Sequence, residues 1–430
     1  MSLLNNLRIY SLIEILIVII PISLVTGPFI PDLLLSFTAL IFLYLVFSNN
    51  LYEIFLSKFA KIFLIFYFVI LLSAVQSENI GISIKSIFFY FRFAFFSFLV
   101  FFIIQKNPLF LKKIFLTILF FLIFVICDAL IQFIFNYNLF GYPVFIQNEY
   151  ERVTGIFNTD LKLGSYLSRL FPFFLFSFFF LRIKLLKKPL LIFLITIYFL
   201  AVLLSGERAA IILMILSLIF LSIFLIDKNM RKIIIYSIFV ITISSSTLIL
   251  SNDNLKSRII KQSYNQIFNT AEIKLDNENI APKVTIFTYI HTQHYITALN
   301  IFKNNIFFGS GPKTFRILCS DKNFSKGMVD ACSTHPHNSY IQLLSETGIF
   351  SFLIIFFILV YFLYFSFLTF IKKKSFFRND LHVCMTCCIL ITLWPFTPSG
   401  NFFNNWLNVI YFFPVGFYLF SIKKNKSNIK

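Results

Sequence analysis

The sequence predicts an all-α protein, a polytopic transmembrane helical chain of about twelve spans with one large loop outside the membrane. Three observations predict it. Apolar residues fill 59% of the 430 positions and only 13% are charged, whereas a soluble domain is about half apolar and about a quarter charged. The apolar residues fall in runs of about 17 to 25, the length a helix needs to cross the hydrocarbon layer. The basic residues gather on alternate connections between those runs.

The expected spans are 9–26, 31–48, 58–75, 82–104, 113–135, 162–182, 189–205, 208–226, 232–251, 339–370, 381–395 and 403–421. Mean hydropathy is +0.86, in keeping with so many. The first run, Ile9 to Val25, has no small-residue cleavage site after it and reads as a retained helix rather than a signal peptide. The tenth is too long for one crossing, so its first turns are expected to stand outside the bilayer. No internal repeat divides the chain, and the 64 Phe residues read as compositional bias.

A net charge of +19 raises the question of nucleic acid, and its distribution answers it. With the N-terminus taken as cytoplasmic, the cytoplasmic connections hold Arg8, Lys58, Lys61, Lys106, Lys112, Lys113, Arg182, Lys184, Lys187 and Lys188. They also hold Lys228, Arg231, Lys232, Lys372, Lys373, Lys374, Arg378, Lys423, Lys424, Lys426 and Lys430. The short outer connections carry only Lys85, Arg152, Lys162 and Arg208. This is the asymmetry of the positive-inside rule, so the charge orients helices in membrane lipid and nucleic acid is not needed to explain it.

The chain therefore reads as nine spans over 1–251, a large outer loop over 252–336 and three spans over 337–430, with both termini cytoplasmic. In a bacterium the outer compartment is the oxidising periplasm. Cys319 and Cys332 both lie in the loop, which predicts a disulfide between them. Cys384, Cys387 and Cys388 sit in an apolar helix and read as small packing residues rather than a metal cluster.

The second half of the loop carries most of the candidate chemistry. Tyr295, Leu299 and Phe302 recur at helical spacing, predicting an amphipathic helix from Thr288 to Lys303 on the membrane surface. Gly309, Gly311 and Pro312 predict a turn. Pro336 fits a first helical turn, with His337, Ile341, Leu344 and Gly348 on one face of the following helix. Four of the five histidines, His291, His294, His335 and His337, lie in this loop. Incidental surface, a zinc site and a catalytic base are the three readings of such a set; no acidic or thiolate partner is placed to complete a zinc site. Between two spans on the outer side, SGERAA (Ser205 to Ala210) puts Glu207 and Arg208 close to hydrocarbon, where a guanidinium suits a lipid-linked phosphate or merely snorkels to headgroups. Arg92 and Arg169 lie within spans and need partners, for which Asp128 is a candidate.

These pieces, taken in order, resemble the O-antigen ligase and polymerase superfamily of bacterial membrane glycosyltransferases. ERVTGIFN before the sixth span is similar to its Arg-x-x-Gly-x-Phe segment, and SGERAA to its Ser-x-x-Arg turn. YITALNIFKNNIFFGSGPKTF resembles the segment ending in Gly-x-Gly-Pro, and HPHNSYIQLLSETGIF the His-Asn helix ending in Glu-Thr-Gly. The resemblance implies transfer of a glycan from undecaprenyl pyrophosphate to an acceptor hydroxyl at the periplasmic face of the inner membrane, without a metal ion or cofactor. The acceptor would be lipid A–core, or a second lipid-linked glycan in a polymerase. It implies His337 as the base and Arg208 as the pyrophosphate ligand, with Arg152, Lys313, Arg316, Asn338 and Glu346 as further substrate contacts. Where the family commonly has a second arginine this chain has His291, so His291, Arg258 or Arg316 is left to make the second phosphate contact. A flippase or transporter is the rival from another class; it lacks support from internal symmetry and does not need so large a loop.

Overall fold

The computed structural model describes residues 2–147, 149–181, 187–268, 273–275, 278–280, 287–372 and 376–423. Arg182, Lys184, Lys373, Lys374, Lys424, Lys426 and Lys430, expected on cytoplasmic connections, lie outside the described residues.

Helix dominates. The first half runs α1 (Ser2–Ser23), α2 (Phe29–Ser48), α3 (Lys58–Val75), α4 (Ile80–Ile87), α5 (Phe91–Lys106) and α6 (Phe110–Phe135). A short hairpin of β1 (Phe145–Gln147) and β2 (Tyr150–Arg152) leads to α7 (Leu163–Leu181), α8 (Lys188–Leu204), α9 (Arg208–Phe224) and α10 (Lys228–Ser251). The loop adds α11 (Asp253–Lys256), α12 (Gln262–Phe268), the pair β3 (Ile273–Leu275) and β4 (Glu278–Ile280), α13 (Tyr289–Asn304), α14 (Phe315–Leu318) and α15 (Lys322–Ser325). The chain closes with α16 (Ser339–Lys372), α17 (Asp380–Thr392) and α18 (Asn405–Ile422).

Among the described residues, nine helical stretches are long and apolar enough to cross a membrane, and α8, α9 and α17 are shorter apolar helices. Together they occupy the twelve stretches expected from the sequence, with α4 and α5 forming one continuous span, Ile80–Lys106. The protein is a multi-pass membrane protein. Its central helix is α7, 83% of whose span is buried, packed by α6, α9 and α17; α5 lies against α2 and α18. Most of the other long helices turn much of their surface outward, as lipid-facing helices do. Buried Cys384, Cys387 and Cys388 pack within α17.

Two expected ion pairs are corrected. Arg92 pairs with Asp32 of α2 at 2.5 Å, not with Asp128. Asp128 instead accepts from Asn138 Nδ2 and the Leu139 backbone N–H, tying down the turn after α6, so its lone pairs are already engaged. Arg169 donates to the Ser165 carbonyl and lies over the Tyr411 ring.

The tenth span does begin outside a single straight crossing. Gly348 breaks α16 with φ +74°, leaving a short helix from Ser339 to Thr347 before the long one. An added Cβ at Gly348 would lie 2.1 Å from the Phe307 carbonyl oxygen, and one at Gly309 would lie 2.5 Å from Glu346 C. Only glycine at both positions lets the two backbones touch. That contact fixes the Gly309–Phe315 turn against the start of α16.

Candidate active site at the loop end of the bundle

Helix α13 begins at Thr288, whose hydroxyl accepts from the His291 N–H. It buries Gln293, His294, Tyr295, Thr297, Ala298 and Ile301 and packs on α16. Of the expected apolar face, Tyr295 is buried and Leu299 is exposed, and the face turned to α16 is rich in polar groups.

The second histidine segment also departs from expectation. Pro336 precedes the helix rather than entering its first turn. Asn338 is the cap, its Oδ1 accepting from the Tyr340 and Ile341 N–H groups. His337 stands just before it in the left-handed region, φ +57°, a conformation that costs a non-glycine residue roughly 1–3 kcal/mol and persists only when its surroundings hold it. Here Ser399 N donates to the His337 carbonyl at 2.9 Å, and His337 Nε2 meets Ser333 Oγ at 3.0 Å.

The other three loop imidazoles converge on His337. Its ring centre lies 4.1 Å from His335, 5.2 Å from His291 and 5.3 Å from His294. His335 Nε2 faces the Ser399 carbonyl at 3.2 Å and its Nδ1 faces Thr334 Oγ1 at 2.9 Å. A carbonyl can only accept, so Nε2 carries the proton and His335 is held in one tautomer. Burial, aided by the neighbouring imidazoles, lowers His337 and His291 to about 4 and His335 to about 3, and His294 is lowered as well. At neutral pH the cluster is uncharged. Among the described residues, no group of His, Cys, Asp and Glu has the arrangement of a metal site.

Two groups of cations adjoin this neutral cluster. In the first, Arg208 lies close enough to His291 for its charge to push that imidazole down. Arg208 donates to Ser263 Oγ at 3.1 Å and shares its surroundings with Arg258, which lies over the Tyr150 ring. Arg152 completes the group. It is buried, donating to the Ser205 carbonyl and to Gln147 Oε1, and burial with Arg258 and Arg208 nearby lowers it to about 10 against the opposing pull of Glu207. Glu207 itself accepts from the Gly164 and Ser165 N–H groups and from Ser165 Oγ, which locks the SGERAA turn to the start of α7.

The second surrounds a cavity of about 440 Å³ that opens beside His335, lined by Lys162, Arg169, Lys313 and Arg316 and also by Ala209 and Leu213 of the helix that Arg208 begins. Lys313, φ +62°, is a second left-handed non-glycine residue at the site. Its N–H donates to Glu346 Oε2 at 2.9 Å.

The structure thus brings His337, Arg208, His291, Arg152, Lys313, Arg316 and His335 to one end of the bundle. Asn338 and Glu346, expected as substrate contacts, make hydrogen bonds within the protein. Asn338 caps α16 and donates to the Pro395 carbonyl. Fully buried Glu346 accepts from Lys313 N, Phe315 N and Gln342 Nε2 and so positions the turn that carries Lys313. Arg169, Lys162 and Ser399 were missed as site residues. The polar, proline- and glycine-containing stretch Pro395–Asn405 between two apolar runs is the signal that points to the last of them. A Cys319–Cys332 disulfide, Cα atoms 5.0 Å apart, closes the loop that follows Arg316.

Residues 190–356 match a family model described as O-antigen ligase. That region contains Arg208, Arg258, Lys313, Arg316 and all four clustered histidines. No curated protein matches the chain.

Proposed function

We propose that this chain, a member of the O-antigen ligase superfamily, moves a glycan from undecaprenyl pyrophosphate to an acceptor hydroxyl at the periplasmic face of the inner membrane. The observation that carries the reading is a neutral imidazole, His337, flanked by His291 and the Arg208–Arg258–Arg152 group. Both termini lie in the cytoplasm, following the basic connections.

The donor already carries a good leaving group, so the enzyme has to position two lipid-anchored molecules and receive negative charge. His337 takes the proton of the acceptor hydroxyl as that oxygen attacks the anomeric carbon. The bond from that carbon to the pyrophosphate oxygen breaks, and its electron pair leaves with the pyrophosphate. Arg208 and Arg258 grip the departing group through charge-assisted hydrogen bonds, and Arg258 makes the second phosphate contact. His291, between them and the base, orients rather than charges the site. The guanidiniums do the neutralising, and the scheme uses no metal ion.

The acceptor is lipid A–core for a ligase and a second carrier-linked glycan for a polymerase, with the same chemistry in each. Purified protein in detergent with lipid-linked donor tests the transfer: a new glycosidic bond is expected, lost in His337→Ala and Arg208→Ala. A flippase makes no bond, and retained transfer in both variants removes this mechanism. The glycolipids of a deletion strain separate the acceptors. Core bearing a single repeat unit marks a polymerase, and accumulated carrier-linked polymer marks a ligase.

A further inference from the structure

One departing pyrophosphate accounts for one of the two cationic groups near His337, not both. The cavity beside His335 is lined by Lys162, Arg169, Lys313 and Arg316 and by none of the three guanidiniums assigned to the donor. No Asp or Glu among the described residues lines it. Three carboxylates stand behind its wall: Asp160 pairs with Lys162, Glu346 is held by the backbone of the turn that carries Lys313, and Asp32, whose charge reaches Lys313, pairs with Arg92. With Arg92 counted, five cations against three carboxylates leave an excess that matches a phosphate ester or one pyrophosphate.

The cavity is also built rather than incidental. Arg169 is only 6% exposed, on the central helix, and its Nε is buried without a hydrogen-bond partner. A buried guanidinium with an unmet donor is costly unless an anion arrives. Lys313 sits at the cavity on a left-handed backbone pinned by a buried glutamate, and a strained residue of this kind marks a position where direction matters. Burial and the adjoining Arg316 lower the Lys313 ammonium, the response of cations held together. His335, whose ring is the nearest of the three to His337, lines the cavity, so a molecule bound there lies next to the base.

We propose that this cavity is a second anion subsite, which holds the phosphate or pyrophosphate of a lipid-anchored acceptor beside His335, on Lys313 and Arg316 rather than on the guanidiniums assigned to the donor. The proposal rests on the transferase reading above and narrows its acceptor to a phosphorylated lipid. Carrier-linked glycan and phosphorylated lipid A–core both supply that group.

The test uses the purified full chain and the double variant Lys313→Gln/Arg316→Gln. Initial rates are measured with carrier-pyrophosphate-linked repeat unit, with phosphorylated lipid A–core, and with a dephosphorylated counterpart of each: dephosphorylated lipid A–core, and the repeat unit as a neutral long-chain alkyl glycoside in place of the carrier pyrophosphate. The variant is expected to raise KM for a phosphorylated acceptor by about tenfold or more, the worth of one charge-assisted contact, with donor KM unchanged. Dephosphorylated acceptors are expected to serve wild type poorly and the variant no worse. Whichever phosphorylated acceptor reacts names the source. An unchanged acceptor KM, an equal rise in donor KM, or a dephosphorylated acceptor that works as well as its parent overturns the subsite. A binding arm stands apart from catalysis: a short polyprenyl phosphate is expected to bind wild type at two sites, with one lost in Lys313→Gln/Arg316→Gln and the other in Arg208→Gln/Arg258→Gln. If no donor and acceptor pair reacts, the transferase reading fails and the binding arm alone decides the subsite; two sites retained in the first variant overturn it.

Discussion

The imidazoles of His291 and His337 face each other with ring centres 5.2 Å apart, joining the first turn of α13 to the strained residue before α16. His291 also feels the charge of Arg208. The proposed base and the group proposed to grip the phosphate are therefore linked through a single side chain. His337→Ala is expected to lower kcat by about 10²–10⁴-fold, the range for a positioned general base. Protein yield and membrane insertion should be unchanged, measured by quantitative blotting of membranes alongside the transfer assay.

The pH profile follows from the same burial. A general base works unprotonated, and His337 is lowered from the usual imidazole value to about 4. Transfer is expected to stay on its plateau well below neutrality and to fall only as pH drops through about 4. A loss of rate centred on the ordinary imidazole value would contradict a buried base.

Stability of the loop has its own acid dependence. The folded values of His291, His335 and His337, about 4, 3 and 4, all lie below the unfolded value of 6.5. The unfolded chain therefore binds protons first, and the contribution of these groups is complete above pH 6.5 and is lost as pH falls through the folded values. Limited proteolysis of the loop in detergent should accelerate across that window.

Gly348 and Gly309 are expected to tolerate no side chain. Alanine at Gly348 meets both a positive φ and the Phe307 carbonyl, a cost on the order of 3 kcal/mol. Thermal unfolding in detergent should shift down by several degrees, with transfer lost in proportion because the turn carrying Lys313 is set by this contact.

Reducing the Cys319–Cys332 disulfide should loosen the segment that carries Arg316. Closing a loop of this length is worth about 3 kcal/mol in the chain-entropy estimate. Thiol labelling of native protein is expected to gain two reactive groups on reduction, and Cys319→Ser should make the loop more sensitive to protease.

Much of this was legible in the sequence because the bilayer reads the chain almost one segment at a time. A span is a local property of some twenty residues, so all twelve stretches fall where hydropathy puts them, and the over-long tenth contains its break at Gly348. The histidines, SGERAA and the Gly-x-Gly-Pro turn were visible as residue types out of place in an apolar chain. Their partnerships were not. Nothing local says that Arg92 answers Asp32 of another helix, that Glu346 serves the backbone of the turn at Lys313, or that His335 is fixed by Ser399 some sixty residues on. Hydrogen bonds and like-charge crowding are decided by which helices touch, and so the convergence of four imidazoles beside two groups of cations exists only in the tertiary structure.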